Sequence, residues 1–171
     1  MSEEGNIPAG GSADGQNGTD EANAPAIRVV SQYIKDLSFE NPAAPLTNVA
    51  SRPQVELNVD LKAKQADKEL FEVEMKLQVS AKIEDKPAFL LELVYGGLFF
   101  LHNIPEDVRS QILMIEAPHL LFPFVRRIVA DVVQDGGLPS LMIEPIDFAA
   151  LYRAKMAEMQ QRNVAPGHLD A

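Results

Sequence analysis

Between Ile27 and Tyr95 apolar and polar residues alternate with a period of two, and beyond Gly96-Gly97 the spacing becomes helical. In the first run, Val29, Tyr33, Leu37 and Phe39 define one face and Asp36, Ser38 and Glu40 the other. This predicts a strand over Ile27 to Glu40 with an irregularity near Gln32. Asn41-Pro42 and Pro45 end it, because proline cannot extend a central ladder, and a loop follows to Pro53. Val55, Leu57, Val59 and Leu61 then alternate with Glu56, Asn58, Asp60 and Lys62. After the polar link Ala63 to Lys68, Phe71, Val73, Met75, Leu77 and Val79 alternate with Glu72, Glu74, Lys76, Gln78 and Ser80. Both runs read as half-buried strands of one long hairpin, apolar face inward and charged face to water.

The next strand, Pro87 to Tyr95, departs from this pattern. Phe89, Leu91, Leu93 and Tyr95 form one face, but Ala88, Leu90, Glu92 and Val94 make the other mostly apolar as well. Helices on one side of the sheet would leave that second face in water. Gly96-Gly97 lacks the phosphate-binding glycine patterns and reads as a bend or bulge in the sheet.

Pro105 with Glu106 and Asp107 suits a helix start, and Pro118 is expected to break that helix. His119 to Asp135 reads as a second helix, with Leu121, Phe124, Val125, Ile128, Val129 and Val132 at helical spacing and Pro123 near its start. Gly136-Gly137 stops it. After a connector, Asp147 is placed to cap a last helix from Phe148 to about Gln161. Strands first and helices afterwards predict an α+β fold, a four-stranded antiparallel sheet with helices packed on one face. Residues 1–25 and 162–171 are polar and read as disordered tails around a domain spanning 26–161.

Composition narrows the partners. The 171 residues carry a formal net charge of −10. That disfavours nucleic acid, which calls for concentrated Lys and Arg, and favours partners with a basic segment. Cysteine is absent, which excludes disulfides and thiolate metal sites. The N-terminus has no apolar signal core. The longest apolar stretch, Ala88 to Ile104, is interrupted by Glu92 and His102 and falls short of the roughly 20 residues of a spanning helix. A soluble cytoplasmic protein without membrane insertion is expected.

Candidate chemistry is sparse. Glu116 and His119 have the Glu-x-x-His spacing of carboxylate-bridged di-iron bundles, but a second copy is missing. His102 has no serine or cysteine partner in a nucleophile motif. A small hydrolase or isomerase using His102 or His119 is the rival class; no catalytic residue, metal or cofactor is assigned. The acids Asp36, Glu40, Glu56, Asp60, Glu72, Glu74 and Glu92 would ordinarily be a solvated sheet face. Two details favour docking of a short basic and apolar segment. Glu92 sits beside Leu90 in one row, and Asp36 and Glu40 leave their strand on one side.

Several separated motifs, in order, resemble the bacterial protein-export chaperone family SecB. They are Tyr33-Ile34-Lys35-Asp36-Leu37-Ser38-Phe39-Glu40-Asn41-Pro42; Ala88-Phe89-Leu90-Leu91-Glu92 leading to Gly96-Gly97-Leu98-Phe99; Pro118-His119-Leu120-Leu121-Phe122-Pro123-Phe124-Val125-Arg126; and Gly137-Leu138-Pro139 with Pro145-Ile146-Asp147-Phe148. The resemblance implies a chaperone that holds unfolded precursor proteins without ATP and delivers them to the SecA translocase. It implies a homotetramer, a dimer of dimers, with sheets outside and long helices between. Asp36, Glu40, Leu90 and Glu92 are then the positions that receive the basic tail of SecA, and Leu91, Leu93 and Tyr95 map to oligomer contacts. In the client groove Phe89 is kept, while Ser51 stands where relatives often carry tryptophan, which implies weaker binding of aromatic segments. The alternative within this resemblance is a SecB-like chaperone dedicated to one client, such as an antitoxin.

Overall fold

The computed structural model describes residues 24–46 and 53–164. Of the tails expected over 1–25 and 162–171, residues 1–23 and 165–171 lie outside the described residues, as does Ser51, while residues 162–164 continue the last helix. The elements are β1 (Ala26–Glu40), β2 (Gln54–Gln65), β3 (Leu70–Ile83), β4 (Lys86–His102), α1 (Glu106–Gln111), a π-helical turn (Ile112–Glu116), α2 (Ala117–Asp135) and α3 (Phe148–Val164).

The four strands form one antiparallel sheet in the order β1-β4-β3-β2. The β3–β4 hairpin turns at Glu84 and Asp85, both with positive φ, 49° and 62°. Two consecutive left-handed residues match the right-handed twist of the flanking strands. Register then aligns the apolar rows: Leu77 faces Leu93, Val79 faces Leu91 and Val59 faces Leu77. Leu77, Val79, Leu91 and Leu93 are fully buried under the helices. Each such side chain contributes about 1.5–3 kcal/mol on leaving water.

Four expectations change. β4 does not bend at the glycine pair but runs on to His102, with no register shift at Gly96 or Gly97 against either neighbour. The glycines serve close approach instead. A Cβ at Gly96 would lie 2.6 Å from the Tyr33 ring, and one at Gly97 2.6 Å from Leu121 of α2. Pro118 does not break the helix. Its ring would press on the carbonyl of Met114, four residues back, and the wider π-helical turn over Ile112–Glu116 accommodates it.

The third change concerns β1, which has two register shifts against β4, between Val29 and Ser31 and between Ile34 and Asp36, on either side of Gln32. They invert the stretch between them, so Tyr33 leaves the side shared by Val29, Leu37 and Phe39. The fourth concerns the apolar second face of β4. Lying between β1 and β3, the strand has Leu90, Val94, Leu98 and Phe100 only half-exposed.

The helical layer is fastened at both ends. Asn41 at the end of β1 donates to the Gly136 carbonyl at the end of α2 (2.7 Å). Gly137, with φ of 81°, ends α2, and the Leu138 N–H returns to the Val133 carbonyl. The Asp147 carboxylate accepts the Ala150 N–H at 2.9 Å, capping α3. Phe148 behind it is fully buried, edge-on to His119 and Phe122.

Candidate functional site

On the side away from the helices, β1 and β4 present the acids expected from the sequence. The ladder sets Glu40 opposite Leu90, Ser38 opposite Glu92 and Asp36 opposite Val94. Asp36, Glu40, Leu90 and Glu92 therefore form one patch over two adjacent strands. Asp36 and Glu40 are exposed, while Leu90 and Glu92 are half-buried. The Gln78 amide of β3 donates to Glu92 at 3.0 Å. Among the described residues neither Asp36 nor Glu40 has a hydrogen bond or an ion pair with another side chain.

Further along the same face the acids are tied up. Glu72 on β3 accepts from the Tyr33 hydroxyl at 2.5 Å and from Lys35 at 2.9 Å, and Lys64 of β2 lies 2.6 Å from its other oxygen. Lys35 also bonds Glu74, and Lys64 stands 3.6 Å from it. Glu72 keeps only 7% of its surface in water. The hydrogen bonds from Lys64 and then Tyr33 hold its carboxyl down at about 2. Burial, and then the bond to Glu72, push the Tyr33 phenol up to about 12. Lys35 is raised above its ordinary value by its bonds to Glu74 and Glu72. This cluster escaped the sequence reading because strict alternation sent Tyr33 to the other face.

On the helix side, Leu91 and Leu93 are fully buried and Tyr95 is 7% exposed, donating to Gln32 at 3.2 Å. Phe89 is also covered, 5.8 Å from the Phe39 ring. Among the apolar side chains left open are Ile34 and Leu37 on β1, Val55 and Leu57 on β2, and Leu120 and Phe124 on α2. A trough of about 860 Å³ opens between β2, β3, α1, the π-helical turn and α3, with Leu61, Leu113, Met114, Met156 and Met159 along it together with the charged Lys62, Lys64, Glu72, Glu74, Arg109 and Lys155. No period signalled it, because α3 is only weakly amphipathic and Met156 and Met159 read as ordinary helix residues.

The two histidines among the described residues lie apart. His102 stacks on Phe100 and lies 3.1 Å from Glu69, while Glu116 at the end of the π-helical turn and His119 in the first turn of α2 are exposed. No group of three His, Cys, Asp or Glu residues converges among the described residues. No helix among them is long and apolar enough to cross a membrane.

Comparison with known proteins decides the family. The family model described as preprotein translocase subunit SecB matches residues 20–159. The chain belongs to the SecB family. It is 47% identical over 150 residues to the protein-export protein SecB of Xanthobacter autotrophicus, covering 86% of this chain and 96% of that one. It is 45% identical over 148 residues to that of Maricaulis maris, covering 85% of each. The fold is shared with a SecB-like chaperone of Mycobacterium tuberculosis, solved with a peptide from an antitoxin. That match has a TM-score of 0.62 at 16% identity, covering 70% of this chain and 90% of the other. SecB proteins are protein-export chaperones rather than enzymes, and so is this one.

Proposed function

We propose that this chain works in the cytoplasm as an ATP-independent holdase, keeping precursor proteins unfolded and passing them to the SecA translocase. The observation that carries the second step is the patch of Asp36, Glu40, Leu90 and Glu92 on paired strands, its two β1 acids without side-chain partners among the described residues. A short segment with basic residues around an apolar one suits it. Charge steers the encounter, and Leu90 supplies an apolar contact that salt does not screen.

The trough along α3 supports the holding step. Its methionines adapt to varied side chains, since an unbranched thioether fills irregular gaps. Extended apolar client segments would gain about 25 cal/mol per Å² buried there, before the cost of ordering them. We assign clients to this trough rather than to Phe89, which is covered within the chain.

A homotetramer is also part of the proposal. β1 is an edge strand of 15 residues with Ile34 and Leu37 open beside it, and long edges invite pairing with a second copy. Leu120 and Phe124 on α2 offer an apolar surface through which two such dimers could join helix to helix. Leu91, Leu93 and Tyr95 would then support the interface from beneath.

The assay is suppression of aggregation of an unfolded precursor without nucleotide, with the particle mass measured natively. Suppression by a tetramer is expected; no suppression at stoichiometric oligomer, or a monomeric particle, would overturn the reading. A survey of bound clients separates a general holdase from a chaperone of one client.

A further inference from the structure

The two register shifts of β1 add one unopposed residue each, Val30 and Lys35. A one-residue shift turns every later side chain to the other face of the sheet. Two shifts cancel, so Leu37 and Phe39 return to the helix side with Val29, and only Ser31–Ile34 is inverted. The second shift thus decides where everything after it points. If Lys35 instead paired with Val94, Asp36, Ser38 and Glu40 would turn toward the helices and Leu37 and Phe39 toward water.

Lys35 is not left loose at that shift. Its ammonium crosses β4 to Glu72 at 2.9 Å and to Glu74, both on β3. Tyr33 crosses beside it to Glu72. The crossing is open because the residue opposite Tyr33 is Gly96, where any Cβ would meet the Tyr33 ring. From the far side, Lys64 of β2 grips the same two carboxylates and fixes them as anchors.

We infer that Lys35 is a positioning residue for the docking face: its ion pairs with Glu72 and Glu74 hold the second bulge of β1, and so keep Asp36 and Glu40 turned outward. The inference rests on the reading of those acids as the translocase contact. It adds a residue that need not touch the partner at all. The competing force is burial of Phe39, which packs on Phe89 and favours the same register unaided.

Because the chain has no cysteine, Ser38→Cys alone reports which way β1 faces. Ser38 is exposed on the outer side opposite Glu92 and has no assigned role. In the full-length oligomer, Lys35→Met should slow thiol labelling of Ser38→Cys by about tenfold, as an outward side chain turns inward. Lys35→Arg should restore the labelling, and affinity for a synthetic lysine- and arginine-rich peptide should fall and recover in parallel. Glu74→Gln is the milder second variant, removing one anchor while leaving Glu72, and should slow labelling by a smaller factor. Unchanged labelling in both Lys35→Met and Glu74→Gln overturns the inference and leaves the docking reading intact. Slowed labelling with unchanged peptide affinity upholds the positioning role and overturns the docking reading instead.

Discussion

The outer face of the sheet holds two sets of acids that differ in everything except residue type. Glu72 and Glu74 are clasped by Lys35 and Lys64, and Glu72 is nearly buried with its carboxyl depressed to about 2. Among the described residues Asp36 and Glu40 stand in water without such partners, and Glu92 has the Gln78 amide for company. A carboxylate whose charge is already compensated by fixed ammonium groups has little left to offer a visiting cation. One that is solvated and uncompensated offers its whole field. The first set is therefore structural and the second available, and a count of acids along the sequence cannot separate them.

The largest effect that would break this contrast is in the open set. Glu92→Lys should weaken binding of a basic peptide by about thirtyfold or more, about 2 kcal/mol, while the melting temperature holds. Isothermal titration at physiological salt measures it. Unchanged affinity would remove the distinction between the two sets.

The paired set should answer to stability. Glu72→Gln takes the charge from hydrogen bonds made by Tyr33, Lys35 and Lys64 and should cost about 1–2 kcal/mol in urea unfolding. The pH dependence has a definite sign. A carboxyl lowered on folding from 4.5 to about 2 gives stability that is complete above pH 4.5 and drains away as pH falls toward 2. Glu72→Gln should flatten that acid limb, and an unaltered limb would mean that Glu72 is not its source.

The smallest effect sharpens the boundary between the sets. Gly96→Ala places a methyl 2.6 Å from the Tyr33 ring and should cost about 1 kcal/mol by overpacking. Lifting Tyr33 from Glu72 should also bring its phenol down from about 12 toward 10, read by ultraviolet titration. A phenol still near 12 would show that the ring had found room.

Much of this was legible along the chain. Alternation at Val55 to Leu61 and Phe71 to Val79 named two strands, and on β3 the buried face as well, because one side of an antiparallel sheet meets the core and the other meets water. On the edge strand β2 the inward face was not realised, since Val55 and Leu57 stay exposed and only Leu61 is buried. Asp147 was legible as a cap and Gly136-Gly137 as a stop, since both act on neighbouring backbone. Pro118 misled because the cost of a proline depends on whether the preceding turn can widen, and here it does. The glycine pair misled because it answers to partners distant in sequence, Tyr33 and Leu121.

What the sequence determined by itself was every feature with a local cause: the strand and helix order, the caps, the apolar rows, and the placing of Leu90 with Glu92 and of Asp36 with Glu40. What only the tertiary structure decided was which acids are compensated and which way the middle of β1 faces. Both depend on charges from three different strands meeting across a glycine gap, and neither Lys35 nor Glu72 carries any local mark of the other. The trough beneath α3 belongs with them, since its lining comes from β2, β3, the helical turns and α3 together.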